Sequence, residues 1–204
     1  MQLEIGSLQL DEMLVIFDVK SLFTSVPVDE ALKTVEKRLT ADSHLEDRSG
    51  FRCDTVMSML NLCLSARQFQ FRGKRYEFSD GLAMGSPVSP PVTNIFMADF
   101  ETEALESFPV KSPSKRFRYV DDIISVVKRS LVNKLLDHIN SRHKDIQFTV
   151  EVEHDGRLPV MDVLLNREDN GEIKVIEPAY AKMDFMAAAT VSRYRVTKFD
   201  QKIK

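Results

Sequence analysis

Three aspartates in this 204-residue chain stand where carboxylates could do chemistry. Asp18 closes the apolar run 13–19 (Met-Leu-Val-Ile-Phe-Asp-Val). Asp121 and Asp122 lie between two β-prone runs in residues 117–127, Phe-Arg-Tyr-Val-Asp-Asp-Ile-Ile-Ser-Val-Val. Alone, an Asp pair at a tight turn does no more than accept local backbone hydrogen bonds, and an Asp at a strand end is a cap. Brought together, carboxylates repel unless a cation lies between them. Hard oxygen ligands with few histidines or thiols nearby suit Mg²⁺ or Mn²⁺. A pair of such ions is a recurring device for phosphoryl transfer to a 3′ hydroxyl, one ion activating the attacking oxygen and the other steadying the leaving pyrophosphate.

A second candidate is the segment 80–91, Asp-Gly-Leu-Ala-Met-Gly-Ser-Pro-Val-Ser-Pro-Pro, too rich in Gly, Ser and Pro to be regular for most of its length. Ser89 reads as an N-cap with Pro90 at the first helical position. A glycine- and serine-rich approach to a helix N-terminus can hold a phosphate or a template strand. It can equally be a rigid connection, and the residues leave both open.

The elements that must position these residues are set by periodicity. Residues 13–19 form a buried strand. Val28, Leu32, Val35 and Leu39 recur at helical spacing, with Asp29 and Glu30 in the first turn favouring the helix dipole. Residues 40–50 read as a polar surface loop. A helix from about Asp54 turns Val56, Met57, Leu60 and Leu64 inward, and residues 68–78 form a hairpin around Gly73. After the 80–91 segment a long helix carries Val92, Phe96 and Phe100 in one stripe. The basic turn 111–116 leads into a β-hairpin holding Asp121 and Asp122 at its tip. Ser130 caps a helix bearing Leu131, Leu135 and Ile139. Residues 148–153 form a half-buried strand, and Asp155-Gly156 turns into the run 158–165. A turn at 168–171 leads to the strand 173–176. The pattern predicts an α+β fold with an antiparallel or mixed sheet and helices packed on one face.

Composition agrees with one substantial domain: 43% apolar and 29% charged residues are ordinary for a globular chain. The apolar runs are too short to span a bilayer as helices. Residues 1–6 have neither the basic flank nor the apolar core of a secretory signal. Cys53 and Cys63, ten residues apart on one helix, would be about 15 Å from each other, too far to bridge. Free thiols fit an intracellular protein of nucleus or cytoplasm. The net charge of −3 gives no global basic field to announce a nucleic-acid partner.

Taken together, the motifs resemble the palm domain of reverse transcriptases, most closely that of Penelope-like retroelements. Residues 17–27 (Phe-Asp-Val-Lys-Ser-Leu-Phe-Thr-Ser-Val-Pro) resemble the first catalytic motif of that family. Residues 81–90 resemble its second, and 118–123 (Arg-Tyr-Val-Asp-Asp-Ile) its third. The segment 148–165, with its Leu-Pro-x-x-Asp-Val pattern, resembles the region C-terminal to the third motif, so the likeness covers roughly residues 10–167. It implies a polymerase palm-like sheet and RNA-directed DNA synthesis with two Mg²⁺ ions, for which Mn²⁺ can substitute. It also implies deoxynucleotide triphosphates and an RNA template with a DNA primer as substrates. By the same resemblance Asp18 and Asp121 bind the metals with the backbone carbonyl of Val19, and Asp122 is a supporting carboxylate. Phe23 stands where the family keeps an aromatic gate against the ribose 2′ hydroxyl; from the residues alone it is equally a core phenylalanine. Met84, Gly85, Ser89 and Pro90 would shape the floor under nucleotide and template.

Departures accompany the likeness. Many reverse transcriptases place Gln where Met84 stands, whereas Penelope-like ones use Met. Phe78 occupies a place expected to hold Gln. Residues 150–153 read Val-Glu-Val-Glu where a proton-donating Lys is often found, so the donor to pyrophosphate is unassigned. The resemblance predicts a palm over residues 10–176, with fingers largely and thumb wholly absent. Residues 177–204 match neither thumb nor nuclease and read as a disordered or frame-altered tail. The rival reading is a catalytically inactive palm remnant or a non-enzymatic binding scaffold. A nucleotide cyclase with a related sheet fits the 81–90 loop less well.

Overall fold

The structure, a computed structural model, describes residues 5–161 and 163–176. The tail assigned to residues 177–204 lies outside these. In chain order the elements are β1 (Glu12–Val19), α1 (Leu22–Ser25), α2 (Val28–Ala41), α3 (Leu45–Ser49), α4 (Cys53–Ser65), β2 (Gln68–Phe71), β3 (Lys74–Glu77), α5 (Ser89–Glu106), β4 (Lys115–Tyr119), β5 (Asp122–Lys128), α6 (Val132–Arg142), β6 (Phe148–Val152), β7 (Arg157–Val160), β8 (Val163–Arg167) and β9 (Ile173–Ile176). This is the α+β class expected, with antiparallel pairing in its sheets. The chain divides into two units.

Among the described residues, the first unit takes those up to Asp18, Lys111–Leu135, and those from Thr149 to Ile176. Its larger sheet has the order β4-β5-β1-β6. β1 reads Glu-Met-Leu-Val-Ile-Phe-Asp-Val, and every residue but Asp18 is buried, the pattern of a central strand covered on both faces. Strand alternation turns Leu14 and Ile16 of β1 and Ile124 and Val126 of β5 to one face. There they form a single core with Ile5, Leu8, Leu158, Val160 and Leu165, so the sheet β7-β8-β9 closes over them. Glu153 lies just past β6 with its side chain 1% exposed. Arg167 Nη2 meets its carboxylate at 2.7 Å and Arg129 Nη2 at 3.1 Å. Arg167 Nη1 also donates to the Glu12 carbonyl oxygen at 3.0 Å, tying β8 to the start of β1.

The second unit holds Val19–Val110 and Leu136–Phe148. α2 packs on α5 and α4, burying Ala31 and Val35 of α2, Met57 and Leu64 of α4, and Val92, Phe96, Met97 and Ala104 of α5. Arg38 of α2 pairs with Asp99 of α5 across this seam. Phe96, Phe100 and Phe148 stack in a row with centroids 6.4 and 5.9 Å apart. Both cysteines lie on α4 and are free, as their spacing required.

Four local expectations are corrected. Residues 40–50 are not all loop: α3 forms there without a buried residue, and Asp42 accepts the His44 N–H at 3.0 Å just before it. Ser89 is the first helical residue rather than the cap, and its buried hydroxyl donates back to Ala83 O at 2.8 Å. Ser130 falls in a 3₁₀ turn, residues Arg129–Leu131, preceding α6. The run 158–165 is two strands, broken by a turn at Met161 with φ 49°.

Replacing Arg167 with Met leaves a buried carboxylate with one of its two cations gone. Breaking a buried pair in this way costs about 3 kcal/mol. Urea unfolding should register that loss, and a cost below about 1 kcal/mol, the range of exposed ion pairs, would show that Glu153 does not depend on Arg167.

Candidate active site: an aspartate hairpin and a glycine loop

The hairpin of the third motif is built as its sequence suggests. β4 and β5 pair from Lys115↔Val126 to Tyr119↔Asp122, leaving Val120 and Asp121 as a two-residue turn. Tight hairpins of this kind demand a positive φ at the first turn position, which glycine supplies without cost. Here Val120 takes it, at φ 56°. A β-branched side chain in that region is a genuine outlier, and such strain collects where structure is held for function. Tyr119, Val120 and Asp121 are all exposed at this tip.

β5 carries the hairpin to β1. The ladder runs from Glu12↔Lys128 to Asp18↔Asp122, so Asp18 and Asp122 are directly opposed and Asp121 is the next residue outward. Asp18 and Asp122, both half-buried, share the strand face of Leu14, Ile16, Ile124 and Val126. Directly opposed residues stand about 4.5–5.5 Å apart at Cα. Three aspartates, from two motifs distant in sequence, therefore stand at one end of one sheet. On the other side of β1, the Thr149 hydroxyl of β6 lies 3.5 Å from the Asp18 carbonyl oxygen. Arg116 and Arg118 on the edge strand β4 pair with Ser125 and Ile123 and so belong to the opposite face of the sheet from Asp18 and Asp122. Burial holds both guanidinium groups below their usual pKa, and the neighbouring Arg118 charge lowers Arg116 further.

All donors here are hard oxygens. Among the described residues, Asp18, Asp121 and Asp122 included, no group of three or more His, Cys, Asp and Glu side chains is arranged to hold a metal ion. Mg²⁺ does not need one, since it keeps several waters and takes one or two carboxylates together with substrate phosphates. Asp18, Asp121 and Asp122 fit that donor set.

Phe23 and the 81–90 loop belong to the second unit, where the backbone fastens one to the other. Leu82, 2% exposed, donates its N–H to Phe23 O at 2.7 Å. Gly81 has φ 73°, and a Cβ built on it would stand 2.4 Å from the Thr24 carbonyl oxygen. Only glycine allows this approach. Phe23 itself is half-buried on α1, so it is not a fully enclosed core residue. Farther along the loop Met84 and Pro90 are exposed, Met84 to 54%, and Gly85 takes φ 90° with open space around it. Ser89 is buried and anchors the loop's end through Ala83 O. Motif reading alone passes over the anchoring roles of Gly81 and Leu82, although a glycine beside an apolar residue at a loop entrance is the signal that carries them.

The chain belongs to the reverse transcriptase (RNA-dependent DNA polymerase) family, whose pattern it matches over residues 3–153. No match was found among curated protein sequences. Among solved structures it resembles the telomerase of Candida albicans in complex with a TWJ fragment of telomeric RNA, at 13% identity and TM-score 0.59 over 86% of this chain and 32% of that one. It also resembles apo telomerase from Candida tropicalis, at 10% identity and TM-score 0.63, covering 83% of this chain and 33% of that one. A form of the latter truncated from its C-terminal domain matches at 11% identity and TM-score 0.57, over 81% and 35%. The chain spans about a third of the length of these telomerases, and at such identities the likeness concerns the fold.

Gly81→Ala tests the loop's attachment. The added methyl must displace the Thr24 backbone, and the new residue must also hold a left-handed φ. The substitution should cost more than about 1 kcal/mol in chemical denaturation, whereas Gly85→Ala has open space and should cost only its φ strain. Equal losses at the two positions would contradict the close approach.

Proposed function

We propose that this chain is the catalytic palm of an RNA-directed DNA polymerase, adding deoxynucleotides to a DNA primer on an RNA template by two-metal nucleotidyl transfer. The observation that carries the reading is the pairing of Asp18 with Asp122, which gathers carboxylates from two separate motifs at one sheet end. Family membership supports the same reading. Asp18 and Asp121, with the Val19 carbonyl, are the residues that would hold two Mg²⁺ ions, and Asp122 would orient them. Bound there, the ions would lower the pKa of the primer 3′ hydroxyl and neutralise charge on the departing pyrophosphate.

The chain's own residues then have distinct tasks. The strained Val120 turn presents Asp121 outward, and the β1–β5 ladder keeps Asp18 and Asp122 in fixed opposition. Phe23 would exclude a ribose 2′ hydroxyl. Met84, Gly85, Ser89 and Pro90 would support the nucleotide and template strand, with the exposed Met84 and the open Gly85 backbone offering contact surface. The Met at position 84 and the residues of all three motifs favour a Penelope-like retroelement as the source. With a net charge of −3 the isolated polypeptide should hold primer–template weakly, because such affinity rests on phosphate contacts.

Mn²⁺ titration monitored by electron paramagnetic resonance tests the metal assignment. Asp18→Asn and Asp121→Asn should each weaken binding at least about ten-fold, the loss of roughly 1.4 kcal/mol expected from removing a charged ligand. Parent-like affinity in either variant would remove that residue from the site. For the sugar gate, Phe23→Val should raise ribonucleotide incorporation relative to deoxynucleotide incorporation in primer extension. Unchanged discrimination would return Phe23 to a packing role.

A further inference from the structure

The β2–β3 hairpin has no part in the site above, and its chemistry is unlike that of the rest of the chain. Residues 67–78 read Arg-Gln-Phe-Gln-Phe-Arg-Gly-Lys-Arg-Tyr-Glu-Phe, with four basic side chains and one acidic in a chain whose net charge is −3. The ladder pairs Phe69 with Tyr76 and Phe71 with Lys74, which places those four side chains on one face. Phe69 stacks on Tyr76 at 5.4 Å between centroids and packs against Phe78 at 4.7 Å. Phe71, nearest the tip, is 56% exposed, and the Arg72 guanidinium lies over its ring at 5.3 Å. Among the described residues Arg72, Lys74 and Arg75 have no ion-pair partner. The tip itself is strained: Arg72 takes φ 48° beside Gly73 at φ 75°, a turn position that Asn or Gly would fill more cheaply. A long cation held in that backbone region, over an exposed ring, is an arrangement that packing does not explain.

From this we infer that the β2–β3 hairpin is a docking platform for single-stranded nucleic acid, its aromatic face stacking bases and its tip cations meeting phosphates. The inference rests on the polymerase reading and assigns the hairpin one partner of that site, an unpaired strand. Aromatic faces accept any base, so the platform is indifferent to sequence. Arg72, Lys74 and Arg75 supply the backbone charge that the chain as a whole lacks. The base of the hairpin is fixed to the glycine loop's entrance, since Phe78 donates its N–H to Arg67 O at 3.0 Å and Arg67 Nη1 reaches Ser79 O at 3.4 Å. A strand lying along the hairpin therefore reaches the loop through a rigid anchor rather than through a swinging arm.

Fluorescence anisotropy of the full chain with labelled (U)12, (dT)12 and a (U)12·(A)12 duplex tests the inference. Both single strands should bind, more tightly than the duplex. The triple variant Arg72→Gln/Lys74→Gln/Arg75→Gln should lower the slope of log affinity against log salt by about 2, since each neutralised phosphate of a single strand adds roughly 0.7 to that slope. Phe71→Ala should weaken binding about ten-fold at constant slope, the scale of a single base stacked on an aromatic ring. Thermal melting and Mn²⁺ affinity should match the parent in both variants, which separates failure of the hairpin from failure of the metal site. Parent-like oligonucleotide affinity in both variants, equal affinity for the duplex, or no binding by the parent would each overturn the inference, whether or not Mn²⁺ binds.

Discussion

Seven paired positions, from Glu12↔Lys128 to Asp18↔Asp122, hold β1 against β5, and the register of that ladder decides where the acidic side chains stand. A slip of one residue would send Asp18 to the opposite face and turn Leu14 and Ile16 out of the core they share with Ile124, Val126, Leu158 and Leu165. Each such side chain contributes roughly 1.5–3 kcal/mol by its burial. The apolar core thus locks the carboxylate geometry: the residues that stabilise the sheet also keep Asp18 opposite Asp122. Carboxylates placed side by side repel, and the apolar core is what holds the two strands that carry them in register.

Local backbone strain occurs in each of the two units. Val120 holds a left-handed turn that glycine would occupy without penalty, and Arg72 does the same at the tip of the β2–β3 hairpin. Gly81, in contrast, is the residue its position demands, because the Thr24 backbone leaves no room for a Cβ. Non-glycine residues thus take left-handed φ at two hairpin tips, and glycine stands where two backbones meet.

Much of the fold is legible in the sequence because its strongest signals are local. The buried β1, the aromatic and β-branched runs flanking Asp121 and Asp122, and the stripe Val92, Phe96, Phe100 all form the elements their spacing implies. That Asp18 lies beside the hairpin of Asp121 is legible only as an inference from chemistry, since nothing local joins residues so distant in sequence. Other features carry no turn signal. The break between β7 and β8 falls at Met161, a residue with no preference for φ 49°, so the run 158–165 reads as one strand. α3 lacks an apolar face and leaves no periodicity to find. Ser89 has the identity of a cap, yet its hydroxyl bonds to Ala83 O instead, a tertiary choice that propensity does not encode.

Whether Asp18, Asp121 and Asp122 form a metal-dependent polymerase centre is tested most directly by anomalous diffraction from crystals soaked in Mn²⁺ and a deoxynucleotide triphosphate. Mn²⁺ peaks are expected about 2.0–2.2 Å from carboxylate oxygens of both Asp18 and Asp121, with the triphosphate completing the coordination. Peaks confined to other carboxylates, with Asp18 and Asp121 unliganded, would contradict that assignment.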